Sequence, residues 1–95
     1  MLIHKTILDI TRNKIPQHLP SDTNPISCSF QGNKLVVWYT FNDEIPTTHV
    51  LFTFHVIQTG EKFDHSILSR TSFVGTATFG DEDTPFVVHV FSERH

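Results

Sequence analysis

The stretch His49-Val50-Leu51-Phe52-Thr53-Phe54-His55-Val56-Ile57 decides the fold of this chain. Thr53 and the two histidines apart, it is wholly apolar. Val50, Phe52, Phe54 and Val56 fall on one face at the two-residue period of a strand, while Leu51 and Ile57 give the other face apolar area as well. Such a strand is central and covered on at least part of both faces, so the rest of the chain is read as strands arranged around it.

Upstream, Gln31-Gly32-Asn33-Lys34 carries the two-residue Gly-Asn connection of a tight hairpin. Ile26, Cys28 and Phe30 alternate with Ser27, Ser29 and Gln31 on its first arm. On the second arm Leu35, Val37, Tyr39 and Phe41 share one face, with Val36 and Trp38 on the other. The loop Asn42 to Thr48, braked by Pro46, then leads into the central strand, and strands in succession predict a meander. Nearer the N-terminus, Leu2 to Ile10 favours a strand through its β-branched content, with a short amphipathic helix as the competing reading. Lys14 to Leu19 is an extended piece bounded by Pro16 and Pro20, which cannot donate to a ladder, so it belongs at a sheet edge.

Downstream, Gln58-Thr59-Gly60-Glu61 turns the chain. Phe63 to Arg70 suits either a short helix, with Asp64 and Arg70 placed for its dipole, or a loop. Ser72 to Phe79 alternates with Phe73, Gly75, Ala77 and Phe79 on one face, Gly80 to Pro85 is an acidic turn, and Phe86 to Phe91 is a closing strand. Polar Ser92-Glu93-Arg94-His95 is expected to fray. The fold class is therefore mainly β: a small antiparallel sandwich or strongly curved sheet of about five to seven strands with at most one short helix. Residues 1–95 make one domain, because a chain this size supports a single modest core. Phe30, Val37, Tyr39, Phe52, Phe54, Phe73, Phe86, Val88 and Val90 are the expected core.

Composition excludes several functions. Seven Lys and Arg against ten Asp and Glu give a net charge of −3, which argues against general DNA or RNA binding. Cys28 is the single cysteine, so no intrachain disulfide forms and a cytosolic setting fits. The N-terminus lacks a basic leader followed by an apolar run, and no segment approaches the ~20 apolar residues that span a bilayer.

Catalytic chemistry finds little to stand on. His4, His18, His49, His55, His65, His89 and His95 show neither the His-x-His nor the His-x3-His spacing of zinc sites, so no metal and no cofactor is expected. His4-Lys5-Thr6 matches one half of the paired His-x-Ser/Thr signature of two-histidine phosphodiesterases, and no second copy exists. Cys28, on an apolar strand face, reads as a small core residue, and Asp81-Glu82-Asp83 as a solvated turn. The chain reads as a non-enzyme.

The Leu35 to Trp38 strand, Thr59-Gly60, Gly75-Thr76 and the terminal His89-Val90-Phe91, following an apolar N-terminal strand and a Pro-flanked turn, occur in one order. That order resembles an uncharacterised family of small proteins encoded by tailed bacteriophages and prophages. Two features depart from it: Ser92 stands where an acidic residue is expected, and the central strand is more aromatic. The resemblance implies a phage accessory protein in the host cytoplasm and supplies no activity.

Binding is the function class that remains. Thr59-Gly60 and Gly75-Thr76 each pair a hydroxyl with a residue lacking a side chain, which lets backbone N–H groups approach a phosphate, although both are also ordinary turn and bulge chemistry. Trp38 offers a face to a base, Arg70 and Lys62 offer charge to a phosphate, and His89 completes the expected ligand-binding set of Trp38, Thr59, Gly60, Arg70, Gly75, Thr76 and His89. The leading expectation is a sponge that sequesters a nucleotide-type immune signal of the host at a homo-oligomer interface. The alternatives are an inhibitor that docks on a host defence or nuclease protein through the acidic turn, and a virion or lysogeny accessory protein.

Overall fold

A computed structural model describes residues 1–95. Seven strands run through it: β1 (Leu2–Leu8), β2 (Lys14–Pro20), β3 (Asn24–Gln31), β4 (Lys34–Phe41), β5 (His49–Gln58), β6 (Ser72–Phe79) and β7 (Phe86–Arg94). The one helix, α1 (Ile67–Arg70), is a single turn lying within the Phe63 to Arg70 stretch. The strands form two antiparallel sheets, β1-β4-β3 and β2-β5-β7-β6, which makes the molecule a small sandwich. Its short dimension of 18 Å is that of two sheets stacked ~10 Å apart with side chains outside them.

The Gly32-Asn33 turn forms as its residues require. Gly32 has φ +62° and Asn33 a negative φ, the pattern of a type II′ turn, in which only the first central position needs glycine. The predicted meander does not form. β4 is flanked by β3 on one side and by β1 on the other, Leu2 opposite Phe41 through Leu8 opposite Leu35, so no edge of β4 is left for β5. The loop from Asn42 to Thr48 instead carries the chain across to the second sheet, where β5 lies between β2 and β7. β2 is an edge strand, as its prolines demand, and Gln17 Nε2 reaches across from it to donate to Ile7 O of β1 at 3.2 Å. On the opposite side, the edge strands β3 and β6 run side by side. Gly75 makes that approach possible, because a Cβ there would stand 3.2 Å from Cys28 Sγ.

The core fills the space between the sheets. Phe54 is wholly buried, as are Leu35, Val37 and Val90, and Phe52, Tyr39 and Val88 complete the centre. Phe30 and Phe86 pack against this cluster from its rim. Phe73 is the exception to the expected core: it is 60 % exposed. A bulge between Phe73 and Gly75 inserts Val74 as an extra residue, so the inward positions become Val74 and Ala77, and Phe73 turns outward to lie against Phe91 with ring centroids 5.3 Å apart. A second bulge, between Pro25 and Ser27, turns Ile26 out of the apolar row it was expected to share with Cys28 and Phe30.

The C-terminal residues do not fray. Ser92 and Arg94 continue the inward row of β7 opposite Phe54 and Phe52, Ser92 is buried, and His95 N donates to Leu51 O at 2.9 Å. Their polarity is accommodated because this end of the sandwich is open.

Candidate functional site

Functional side chains gather on the outer face of the four-stranded sheet, where the segment from Gln58 to Arg70 folds back over β5 and β7. Ile57 pairs with His89, His55 with Phe91 and Thr53 with Glu93, so these side chains form adjacent rows on one face. Thr76 stands opposite His89 from β6. His89 shares hydrogen bonds with two threonines: its Nε2 lies 2.8 Å from Thr59 Oγ1 and its Nδ1 2.9 Å from Thr76 Oγ1. One ring nitrogen donates and the other accepts, so the imidazole holds the Thr59-Gly60 turn to the β6–β7 ladder. Gly60 at φ +87° provides the left-handed residue that this turn needs.

Four residues along β7, roughly 13 Å away, a second polar group forms. Glu93 Oε1 lies 2.9 Å from His55 Nε2, and its carboxylate meets Arg70 Nε at 3.4 Å. His55 is buried, its side chain 4 % exposed, and Glu93 supplies its partner. The His55 hydrogen bond, aided by the positive charge of Arg70, holds the Glu93 carboxyl below the usual glutamate range against the opposing effect of desolvation.

Beside the second group, with His55 and Arg70 in its lining, lies a cleft of about 280 Å³ under α1. Ile57 and Ile67 give it an apolar floor, and Phe63, partly exposed, stands on its wall. Its two carboxylates accept hydrogen bonds from neutral donors. Glu61 accepts from Asn13 Nδ2 at 2.7 Å and from Gln58 N at 2.9 Å, and Asp64 accepts from Ser66 N at 3.0 Å, a backbone bond that keeps the Asp64 carboxyl below its ordinary range. Lys14 and Lys62, on the same cleft, have no hydrogen-bond or ion-pair partner, and Arg70 closes the rim. The arrangement places two lysines without partners and Arg70 beside a half-exposed aromatic ring, together with two carboxylates that stay charged.

A family model described as Domain of unknown function (DUF7352) matches residues 1–95, the whole chain. The chain belongs to this family. No curated protein and no solved structure matches it.

In this DUF7352 chain the expected ligand-binding residues divide into separate groups. Thr59, Gly60, Thr76 and His89 come together, and Gly75 neighbours them in sequence while facing Cys28. Arg70 lies at the cleft. Trp38 is on the far sheet, half-buried on its outer face, where Nε1 donates to Ser29 Oγ at 3.3 Å and Lys5 Nζ lies 5.7 Å from the ring centre. It shares no site with Arg70 or His89. Cys28 is partly buried, and desolvation pushes its thiol up to about 11, away from nucleophilic use. No three His, Cys, Asp or Glu side chains converge as metal ligands, and no helix is long and apolar enough to cross a membrane.

Sequence reasoning missed Lys14, Phe63 and the buried partner pair His55 and Glu93. The alternation of Val88, Val90, Ser92 and Arg94, with His89, Phe91 and Glu93 between them, was the available signal that β7 continues to Arg94.

Proposed function

We propose that the protein binds a small anionic, nucleotide-type molecule in the cleft under α1 and holds it without chemical change. The observation that carries this reading is the pair of unpartnered lysines, Lys14 and Lys62, facing a cleft whose own carboxylates are already bonded. Phe63 offers the face of its ring to a base, and Arg70 offers a guanidinium to a phosphate. His55, which lines the cleft, is hydrogen-bonded to Glu93, and His89, outside it, to two threonines, so neither is placed as a free general base. In an infected host cell the same binding would withdraw a nucleotide-type immune signal from its receptor, the form of the reading that the resemblance to small phage proteins suggests.

Isothermal titration with mono- and dinucleotides tests it, together with mass spectrometry of material released by denaturing protein incubated in host lysate. Intact nucleotide should be recovered, and Lys62→Ala and Phe63→Ala should each weaken binding about tenfold. Failure of the wild-type chain to bind any nucleotide at millimolar concentration overturns the reading. Capture of a host protein by the empty chain, lost on charge reversal at Glu82 and Asp83, would put an inhibitor in its place.

A further inference from the structure

The open end of the sandwich contains a second cleft, of about 350 Å³, which the reading above does not use. Thr23 approaches it from the turn between β2 and β3, Asn24 from the start of β3, and Ser92 and Arg94 from the inward row of β7. Arg70, Ser72 and the outward-turned Phe73 close the other side. No carboxylate lines it.

Arg70 apart, which donates to Glu93 and Ser66, its polar side chains keep free hydrogen-bonding groups. Arg94 Nε donates to Ser21 O at 3.2 Å, which fixes the guanidinium while leaving both terminal nitrogens without a partner. Ser72 and Ser92 stand directly opposite one another across the β6–β7 ladder, and neither hydroxyl makes a hydrogen bond within the protein. Thr23 is only 8 % exposed, and its Oγ1 is the one fully buried side-chain polar atom in the molecule without a partner. A buried hydroxyl left unsatisfied costs about 1–3 kcal/mol, which marks the wall of this cleft as incompletely satisfied. Arg70 is partly neutralised by Glu93, which makes Arg94 the principal free charge.

We propose that this cleft binds the phosphate of a small phosphomonoester. Arg94 takes the phosphate oxygens on its two terminal nitrogens, the forked geometry that guanidinium groups use for phosphate. Arg70 adds charge from the opposite wall, and the hydroxyls of Ser72 and Ser92 donate to the remaining oxygens. Phe73, held against Phe91, presents a ring face to a planar group attached to the phosphate. The exposure of so large an apolar side chain beside two arginines is then part of the site. This anion site is separate from the cleft under α1, and Arg70 stands in the wall between them.

Titration of isotope-labelled protein with inorganic phosphate and with phenyl phosphate, followed by amide chemical shifts, tests the assignment. Both probes should shift the amides of Thr23, Asn24, Ser92 and Arg94, with phenyl phosphate the tighter. Arg94→Gln should weaken both about tenfold or more, Arg94→Lys less, and Lys34→Gln, outside both clefts, should leave them unchanged. Ser92→Ala separates a ligand site from a structural hydroxyl: it should weaken phosphate binding with the melting temperature unchanged. Equal affinity in wild type and Arg94→Gln, or a Ser92→Ala variant that loses stability and keeps its affinity, overturns the proposal. Phosphate binding abolished by Lys62→Gln and untouched by Arg94→Gln would also overturn it, while leaving the nucleotide reading of the first cleft in place.

Discussion

Phe54→Ala and Phe73→Ala, made side by side, put the register of the sandwich to the test. Phe54 has no exposed surface and lies on the inward row of the central strand, opposite Ser92. Truncating a fully buried phenylalanine removes its transfer free energy and leaves a cavity, together about 3–5 kcal/mol. Unfolding a chain of 95 residues releases roughly 0.2 kcal/mol/K, so the melting temperature should fall by about 15–25 °C. A domain this size has about 5–14 kcal/mol of stability in all, so the variant stands near the limit of folding at 37 °C. Phe73→Ala, at a position 60 % exposed, removes a ring-edge contact with Phe91 and should cost about 1 kcal/mol, or roughly 5 °C. Urea and thermal melts followed by far-ultraviolet circular dichroism measure both. Equal losses, or a larger loss for Phe73→Ala, would show that the β6 bulge is absent and that Phe73 points inward.

The remaining predictions concern single polar groups. His89→Ala removes two hydrogen bonds and should cost about 1–2 kcal/mol, with faster amide exchange in the turn from Gln58 to Glu61; unchanged exchange there would mean that His89 does not hold the turn. Glu93 has its folded-state pKa lowered, so its stabilisation is complete above the ordinary glutamate range and is lost as pH falls through the lowered value. The melting-temperature gap between wild type and Glu93→Gln should therefore be constant from pH 6 to 7 and shrink below about pH 4; a gap that persists into acid refutes the assignment. Cys28, with its thiol raised to about 11, should be alkylated by iodoacetamide at pH 7 on the order of 100-fold more slowly than free cysteine, and a rate near that of the free amino acid contradicts its burial.

What was legible from the residues was whatever is encoded locally. Alternation located each strand to within a few residues, the Gly-Asn turn fixed the β3–β4 hairpin, and two prolines put β2 at an edge. Sheet membership was not legible, because the neighbours of β4 and β5 depend on β1 and β7, strands far away in the chain. Bulges were hidden for a different reason: an inserted residue changes which face follows it without altering the composition of the strand, and only Gly75 marked the place. Of the expected site, Thr59, Thr76 and His89 do meet, but their hydrogen bonds satisfy one another. The free cations, Lys14, Lys62 and Arg94, stand at strand ends and in a loop, where single residues carry no periodic signal.

The order of the strands also governs how the chain reaches this structure. Only β3–β4 and β6–β7 pair consecutive strands, whereas β1 waits for β4, β2 for β5, and β5 for β7. During synthesis from the N-terminus the first two strands therefore emerge long before their partners, with Leu8 of β1 and Ile15 and Leu19 of β2 unshielded, and the four-stranded sheet closes only when the last strand is complete. A chain so rich in distant pairings should fold in milliseconds to seconds, starting from the two hairpins. Deleting the last few residues would strip β7 of its pairing with Phe52 and Phe54 and so remove the step that completes folding.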